Sequence, residues 1–332
     1  MTNNSSQPVQ HLNSSAMATP SHVTTSEVKG WCATFAAEAV VVSIGNLFII
    51  TVFAKTRELR NRHFFLINLA VADFLVGAFA EPLFVYILGG YYDLWNFKHK
   101  DILFPVSMFL DMFSGISSIA FLAAIALERL YATLYPAKYR ATKYRGYAIL
   151  TFLLWVISAS IPSIRIYLGN DYTSSLYVWM PFVCLLLLII GSAYIVIWVK
   201  VLFFTSKRLN RGRERRLNVT VTILTLASLS AWLPFIIVNT VNMFRPVSIV
   251  AVYSTKVLHY GNSLVNPFLF ALKMPKFRQA AKNIFCNTRR NAGGNRESQK
   301  RRDISTNNMI KSCESSSTQS IRRNLEIKCT AI

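Results

Sequence analysis

Charge is what this sequence has least of. Only 15% of its 332 residues are Asp, Glu, Lys or Arg, against 53% that are apolar. That balance excludes an ordinary soluble domain of this size. Acid is scarcer still, with 15 Asp and Glu against 36 Lys and Arg and a net charge of +21. Five cysteines (Cys32, Cys184, Cys286, Cys313, Cys329) show no metal-ligand spacing. The first 30 residues contain no apolar h-region, so no cleavable signal peptide is expected and the first apolar run serves as the anchor. Paired carboxylates, a phosphate loop and a nucleophile constellation are all missing, so no enzyme is expected. Neither an internal repeat nor a pair of broken helices marks a transporter.

What is present is a series of apolar runs near 32–54, 64–88, 103–127, 147–168, 176–203, 219–244 and 247–272. Each is long enough to cross a hydrocarbon core at roughly 20 residues per span. Seven crossings put the two ends on opposite sides. Of the 36 Lys and Arg, 30 fall beside or after alternate spans, in 55–63, at Arg129, in 138–145, in 200–218 and in 273–332. This bias predicts an exterior amino end and a cytoplasmic carboxyl end. The positive charge is then accounted for by topology and anionic inner-leaflet lipid, with no nucleic-acid partner.

The chain divides accordingly. Residues 1–30 read as a disordered exterior tail in which Asn3, Asn4 and Asn13 each open an N-x-[ST] glycosylation acceptor. Residues 31–272 form the membrane domain. Residues 273–286 read as an amphipathic helix on the inner leaflet, with Phe277, Ala281, Ile284 and Phe285 on one side. Cys286 directly after it is a palmitoylation candidate or a free thiol. Residues 287–332 read as a disordered cytoplasmic tail.

Ionisable residues inside a bilayer are functional candidates, and five sites stand out: Asp73, Glu81, Asp111, the Glu128–Arg129 pair and Lys256. Asp111 sits in "FLDMFSG", and Arg129 follows it by 18 residues, five helical turns or about 27 Å of rise. Both therefore share a face, with Ser118 between them. Such a rod joins an outer pocket to an inner cleft.

These residues, with Gly45-Asn46, "NLAVAD" ending at Asp73, "LERL" around Arg129, Trp155, "AWLPF" and "NSLVNPFLF", give the chain a resemblance to the rhodopsin-like (class A) G-protein-coupled receptors, through about 32–286. The resemblance implies an all-α bundle of seven transmembrane helices and a short cytoplasmic helix, an extracellular small ligand, a heterotrimeric G protein and arrestin. It implies that Asp111 and Tyr260 hold a ligand's ammonium group, with Trp232, Phe235 and Asn239 around its body and Lys256 at the mouth. It implies an allosteric sodium or water pocket of Asp73, Ser118, Asn262 and Asn266, for which a plain structural hydrogen-bond network is the other reading. At the inner end it implies a lock of Glu128, Arg129 and Glu214, with Tyr194 lining the G-protein cleft. Pro234 and Pro267 lie within spans, where a kinked helix can pivot.

A biogenic amine is the favoured ligand. A peptide, lipid or nucleoside is the alternative, and an opsin-like photoreceptor is remote because Tyr260 occupies the chromophore position. Lys256 bears on the choice: paired with Asp111 instead of Glu81, it would suit an anion, a zwitterion or a peptide, and the amine reading would fall. The usual exterior disulfide is absent, as Phe104 stands in place of one cysteine and the loop "RIYLGNDYTSSLY" lacks the other; this is similar to the melanocortin and lipid receptor branches. Ser228, Leu186 and Phe270 also depart from the pattern. At the carboxyl end, "SCESSSTQS" offers hydroxyls for kinases and arrestin, and Cys329-Thr330-Ala331-Ile332 fits a PDZ ligand.

Overall fold

A computed structural model describes residues 23–141, 144–168, 172–203 and 211–284. Asn3, Asn4, Asn13, Cys286, the hydroxyl cluster at 312–320 and the last four residues lie outside them, as does the side chain of Glu214.

Seven long helices follow one another: α1 (Thr25–Lys55), α2 (Phe64–Tyr91), α3 (Lys100–Leu134), α4 (Tyr144–Tyr167), α5 (Tyr172–Phe203), α6 (Arg211–Phe244) and α7 (Ile249–Lys273). A further helix covers residues 275–284. The chain forms one compact unit up to Arg278, and the packing below belongs to that unit.

Helix is the form in which an apolar chain satisfies every backbone group without water. The start of α1 shows the local rule. Thr24 Oγ1 accepts from the Glu27 amide at 3.2 Å, and the Glu27 carboxylate accepts from the Thr24 amide at 2.7 Å. This capping box satisfies two donors that the first turn would otherwise strand.

The centre of the bundle is α3, which packs against α2, α4, α5 and α6. Residues 114–126 are all buried, and many are small: Ser114, Gly115, Ser117, Ser118, Ala120, Ala123, Ala124 and Ala126. Small side chains let neighbouring backbones close in where apolar burial gives no drive to associate. By contrast, Ile149, Phe152, Leu188 and Ile195 point outward and are exposed, as a lipid-facing surface requires.

Five of these helices are long and apolar enough, among the described residues, to cross a membrane. The other two of the seven are α6 and α7. In α6 the described residues include the apolar segment Leu226–Asn242, and the sequence runs apolar from 219 onward after the basic stretch Arg211–Arg216. In α7 the hydropathy is lowered by buried Lys256, His259, Asn262, Ser263 and Asn266, which are the residues that make its inner face chemical.

Helix α2 is broken by a π turn at Val76–Ala80. Pro82 has no N–H to give the carbonyl of Ala78, so the ladder loosens there and one extra residue is accommodated. The shift delivers Glu81 to the interior, where it is fully buried. The same turn brings α2 hard against α1. A Cβ on Gly77 would lie 2.7 Å from Val42 Cγ1 and 2.9 Å from the Ala39 carbonyl oxygen. The Gly77→Ala variant is therefore expected to lower the unfolding temperature of the purified protein by about 4–8 °C, because backbone cannot yield as a side-chain tip can. An unchanged melting curve would show that α1 moves aside freely.

Candidate functional site

Four long helices meet around Asp111. The Lys256 ammonium on α7 donates to Asp111 Oδ2 on α3 at 2.6 Å. The same nitrogen stands 4.6 Å from the Tyr260 ring centre, 5.0 Å from Phe235 on α6 and 5.5 Å from Phe84 on α2. A carboxylate and three aromatic faces thus surround one ammonium, each face attracting it through the ring quadrupole. Tyr260 is 1% exposed, and its hydroxyl is next to Asp111. Asp111 Oδ1 has no hydrogen-bond partner among the described residues.

Beneath this ion pair, His259 stacks on Phe235 at 4.3 Å and meets Trp232 edge-on at 4.4 Å. Gly115, the last residue of "FLDMFSG", makes that packing possible. A Cβ there would lie 3.2 Å from Trp232 and 3.4 Å from His259 Nε2. Asn239 Nδ2 donates to the Phe235 carbonyl of its own helix at 2.8 Å.

A second carboxyl pair adjoins the first site. Glu81 is fully buried, and neither of its oxygens has a partner that meets hydrogen-bond geometry among the described residues. Glu38 on α1 lies beside it, with Oε1 3.0 Å from where a Cβ on Gly261 would stand.

At mid-depth Asp73 is wholly buried. Its Oδ1 accepts from Ser118 Oγ at 2.8 Å and from Ser263 Oγ at 2.9 Å, while Oδ2 accepts from Asn266 Nδ2. Helices α2, α3 and α7 are tied at one atom group. Asn262 is buried but makes no hydrogen bond to Asp73, and its Oδ1 and Asn266 Oδ1 lack partners among the described residues. The available atoms are carboxylate, hydroxyl and amide oxygens, a set that fits a small hard cation or water. Nearby, Asn46 Nδ2 donates to the Ser263 carbonyl at 3.0 Å, and Gly45 leaves 3.0 Å between a notional Cβ and Pro267 Cγ. Trp155 Nε1 donates to Asn68 Oδ1 at 3.0 Å, joining α4 to α2.

At the far end of α3, Glu128 Oε1 accepts from Arg129 Nη2 at 3.1 Å and from Tyr139 Oη at 2.7 Å. Burial pushes the Tyr139 phenol above its usual value, so it stays a donor. Tyr194 is buried within the electrostatic reach of Arg129. Glu214 is the fourth residue of α6, and its side chain is outside the described residues. Pro234 and Pro267 lie inside α6 and α7.

Sequence reasoning thus names Asp111, Tyr260, Lys256, Phe235, Asp73, Ser118 and Asn266 as groups that the fold brings together. It passes over Glu38, Phe84, Tyr139, His259 and Ser263. Glu38 carries the same signal as Glu81, a lone carboxylate in an apolar run. Ser263 differs from Asn262 by one position, about 100° around the helix.

A model of the family described as "7 transmembrane receptor (rhodopsin family)" matches residues 45–270. Somatostatin receptor type 5 of Rattus norvegicus is 27% identical over 282 residues, covering 73% of this chain and 74% of that protein. The Bos taurus receptor of the same name is 27% identical over 276 residues, covering 73% and 72%. The 5-hydroxytryptamine receptor 2B of Dichotomyctere fluviatilis is 33% identical over 134 residues, or 40% of this chain and 28% of that one. With seven long helices, three of them tied at Asp73, and a matched span of more than half its length, the chain belongs to the rhodopsin family of seven-transmembrane receptors.

Proposed function

We propose that this receptor responds to an extracellular ligand carrying an ammonium group, held by Asp111 against Phe84, Phe235 and Tyr260, and passes the signal to a heterotrimeric G protein at the Arg129 end. The Lys256–Asp111 pair counts against a simple amine on the sequence reading, yet it supports an ammonium site, because the Lys256 ammonium already occupies that environment. A carboxylate in a dry interior keeps its charge only when a cation or several donors compensate it. The lysine serves that role at rest, and the ligand's amine takes it over.

Orientation follows the charge bias, with the amino end outside and the tail inside. The ligand acts by binding the open inner state more tightly, and a few kcal/mol of differential affinity suffices to shift such an equilibrium. Helix α3 links the two ends, and α6 swings about Pro234, parting Glu214 from Arg129 and opening the cleft beside Tyr194. Asp73, Ser118, Asn262 and Asn266, joined by Ser263, would hold a sodium ion in the resting state. The sequence supports arrestin at 312–320, a PDZ domain at Ile332, palmitate at Cys286 and glycans at Asn3, Asn4 and Asn13.

The test is a screen of biogenic amines, nucleosides, peptides and lipids against second-messenger output, on the wild type and on Lys256→Ala. Amine agonists should gain about 10-fold in potency without Lys256, the equivalent of roughly 1.4 kcal/mol of competition removed. Inert amines in both proteins, with another class active, would reject the reading.

A zwitterionic or peptide ligand is the second reading, favoured by the ion pair itself. Such a ligand would give its ammonium to Asp111 and its carboxylate to Lys256, and among the similar proteins are receptors for the peptide somatostatin. It makes the opposite prediction, since potency would fall on removing Lys256.

A further inference from the structure

Lys256 must go somewhere when a ligand's ammonium displaces it. We propose that Glu81, backed by Glu38, is the second berth of the Lys256 ammonium, filled when a cation occupies Asp111. The proposal rests on the ammonium reading above and adds a positioning role for two carboxyls that it leaves unused.

Charge counting raises the question first. Three carboxyl groups, fully buried Glu81 and half-buried Asp111 and Glu38, cluster around a single lysine, with Glu38 reaching it through Glu81. The charges that act on Asp111 are those of Lys256 and His259. Those that act on Glu81 are Glu38, Lys256 and Asp111. Two adjoining carboxyls in a dry interior can share one proton, and a pair in that state carries one negative charge that Lys256, held on Asp111, does not match. A ligand cation at Asp111 brings the count to balance only if the lysine moves to the glutamates and stays in the cluster.

Geometry supplies the path. Glu81 is fully buried, with Glu38 beside it and neither oxygen meeting a donor in hydrogen-bond geometry among the described residues, which is costly unless a better partner can arrive. Phe84 lies three residues further along α2, so it shares a face with Glu81. Its ring already stands 5.5 Å from the Lys256 nitrogen, while Tyr260 offers a second face at 4.6 Å. Lysine is a compact charge on a flexible four-carbon stem, and the two rings keep it attracted between one carboxylate and the other. Glu38 on α1 seats against Gly261 on α7, five residues past Lys256, so the second carboxyl packs on the helix that carries the moving group.

The test needs no ligand, because Asp111→Asn removes the first berth. Unfolding temperatures are read on the full-length receptor in nanodiscs, with Glu81→Gln added to each background. In the wild type, where Lys256 sits on Asp111, Glu81→Gln should shift the transition by no more than about 2 °C. In Asp111→Asn it should lower it by roughly 5 °C or more, since a buried lysine is then left with neither partner. Adding Lys256→Met should erase the difference. Equal shifts in both backgrounds, or a difference that survives Lys256→Met, would overturn the proposal. If the Asp111→Asn/Glu81→Gln receptor does not accumulate folded, recovery on adding Lys256→Met reports the same coupling, and no recovery overturns it. Failure of the amine screen leaves this cycle standing, whereas additive shifts with intact amine responses remove the berth alone.

Discussion

Replacing Asp111 with Asn should cut the potency of every amine agonist by at least about 100-fold while the receptor still reaches the cell surface. Asparagine keeps the volume and loses the charge, so the change isolates electrostatics from packing. Removing one member of a buried, hydrogen-bonded charge pair typically costs 2–5 kcal/mol, and about 2.7 kcal/mol is already two decades in affinity. Surface expression should survive because Lys256, freed from its 2.6 Å contact with Asp111, keeps the faces of Tyr260, Phe235 and Phe84 around it. The measurement pairs concentration–response curves for tyramine, tryptamine and 5-hydroxytryptamine with antibody counting of receptors at the surface. Potency that stays put at normal expression would place the ligand's charge elsewhere. The variant also separates the two ligand classes. A pure amine loses its contact carboxylate, whereas a zwitterion keeps Lys256 for its carboxylate and should lose less.

The bundle was legible in the sequence because the bilayer imposes a coarse requirement, roughly 20 apolar residues per crossing, which tolerates almost any order of Leu, Ile, Val and Phe. The finer features were legible only where one residue type carries the message. Asp111 and Lys256 stand out as charges in apolar runs, and helical spacing alone placed Asp111, Ser118 and Arg129 on one stripe. Which carboxylate Lys256 would choose was not legible, because it depends on the π turn at Val76–Ala80 that sets where Glu81 points. That turn has a cause in Pro82, but a proline permits several local rearrangements and the sequence does not select among them. The same limit explains Ser263. The motif "NSLVNP" offers two polar neighbours, and only the rotation of α7 about its axis decides that the serine faces Asp73. Glu38 is legible by the same rule as Glu81, a lone carboxylate in an apolar run.

Asp73→Ala should be the most damaging single substitution in the helical core, lowering the unfolding temperature by about 10 °C. The carboxylate accepts from Ser118, Ser263 and Asn266, so truncation strands three donors in a site with no access to bulk water and opens a void besides. An unsatisfied buried group costs about 1–3 kcal/mol, and a broken buried network 3–5 kcal/mol; at roughly 2–4 °C per kcal/mol the expected shift follows. Asp73→Asn is the sharper instrument, because it keeps the volume and part of the hydrogen bonding while removing the charge a cation would need. Unfolding temperatures in sodium chloride and in choline chloride at equal ionic strength distinguish the two readings of this pocket. If sodium binds, it should stabilise the wild type and leave Asp73→Asn unmoved, since a ligand that binds only the folded state stabilises by mass action. If the polar groups serve only as a strut, both proteins should respond to the two salts alike while Asp73→Ala still melts early. A strut would leave α7 tied to α3 in both signalling states. A sodium site would make that tie conditional, because the cation must depart before Asn266 and Ser263 can rearrange around the bare carboxylate.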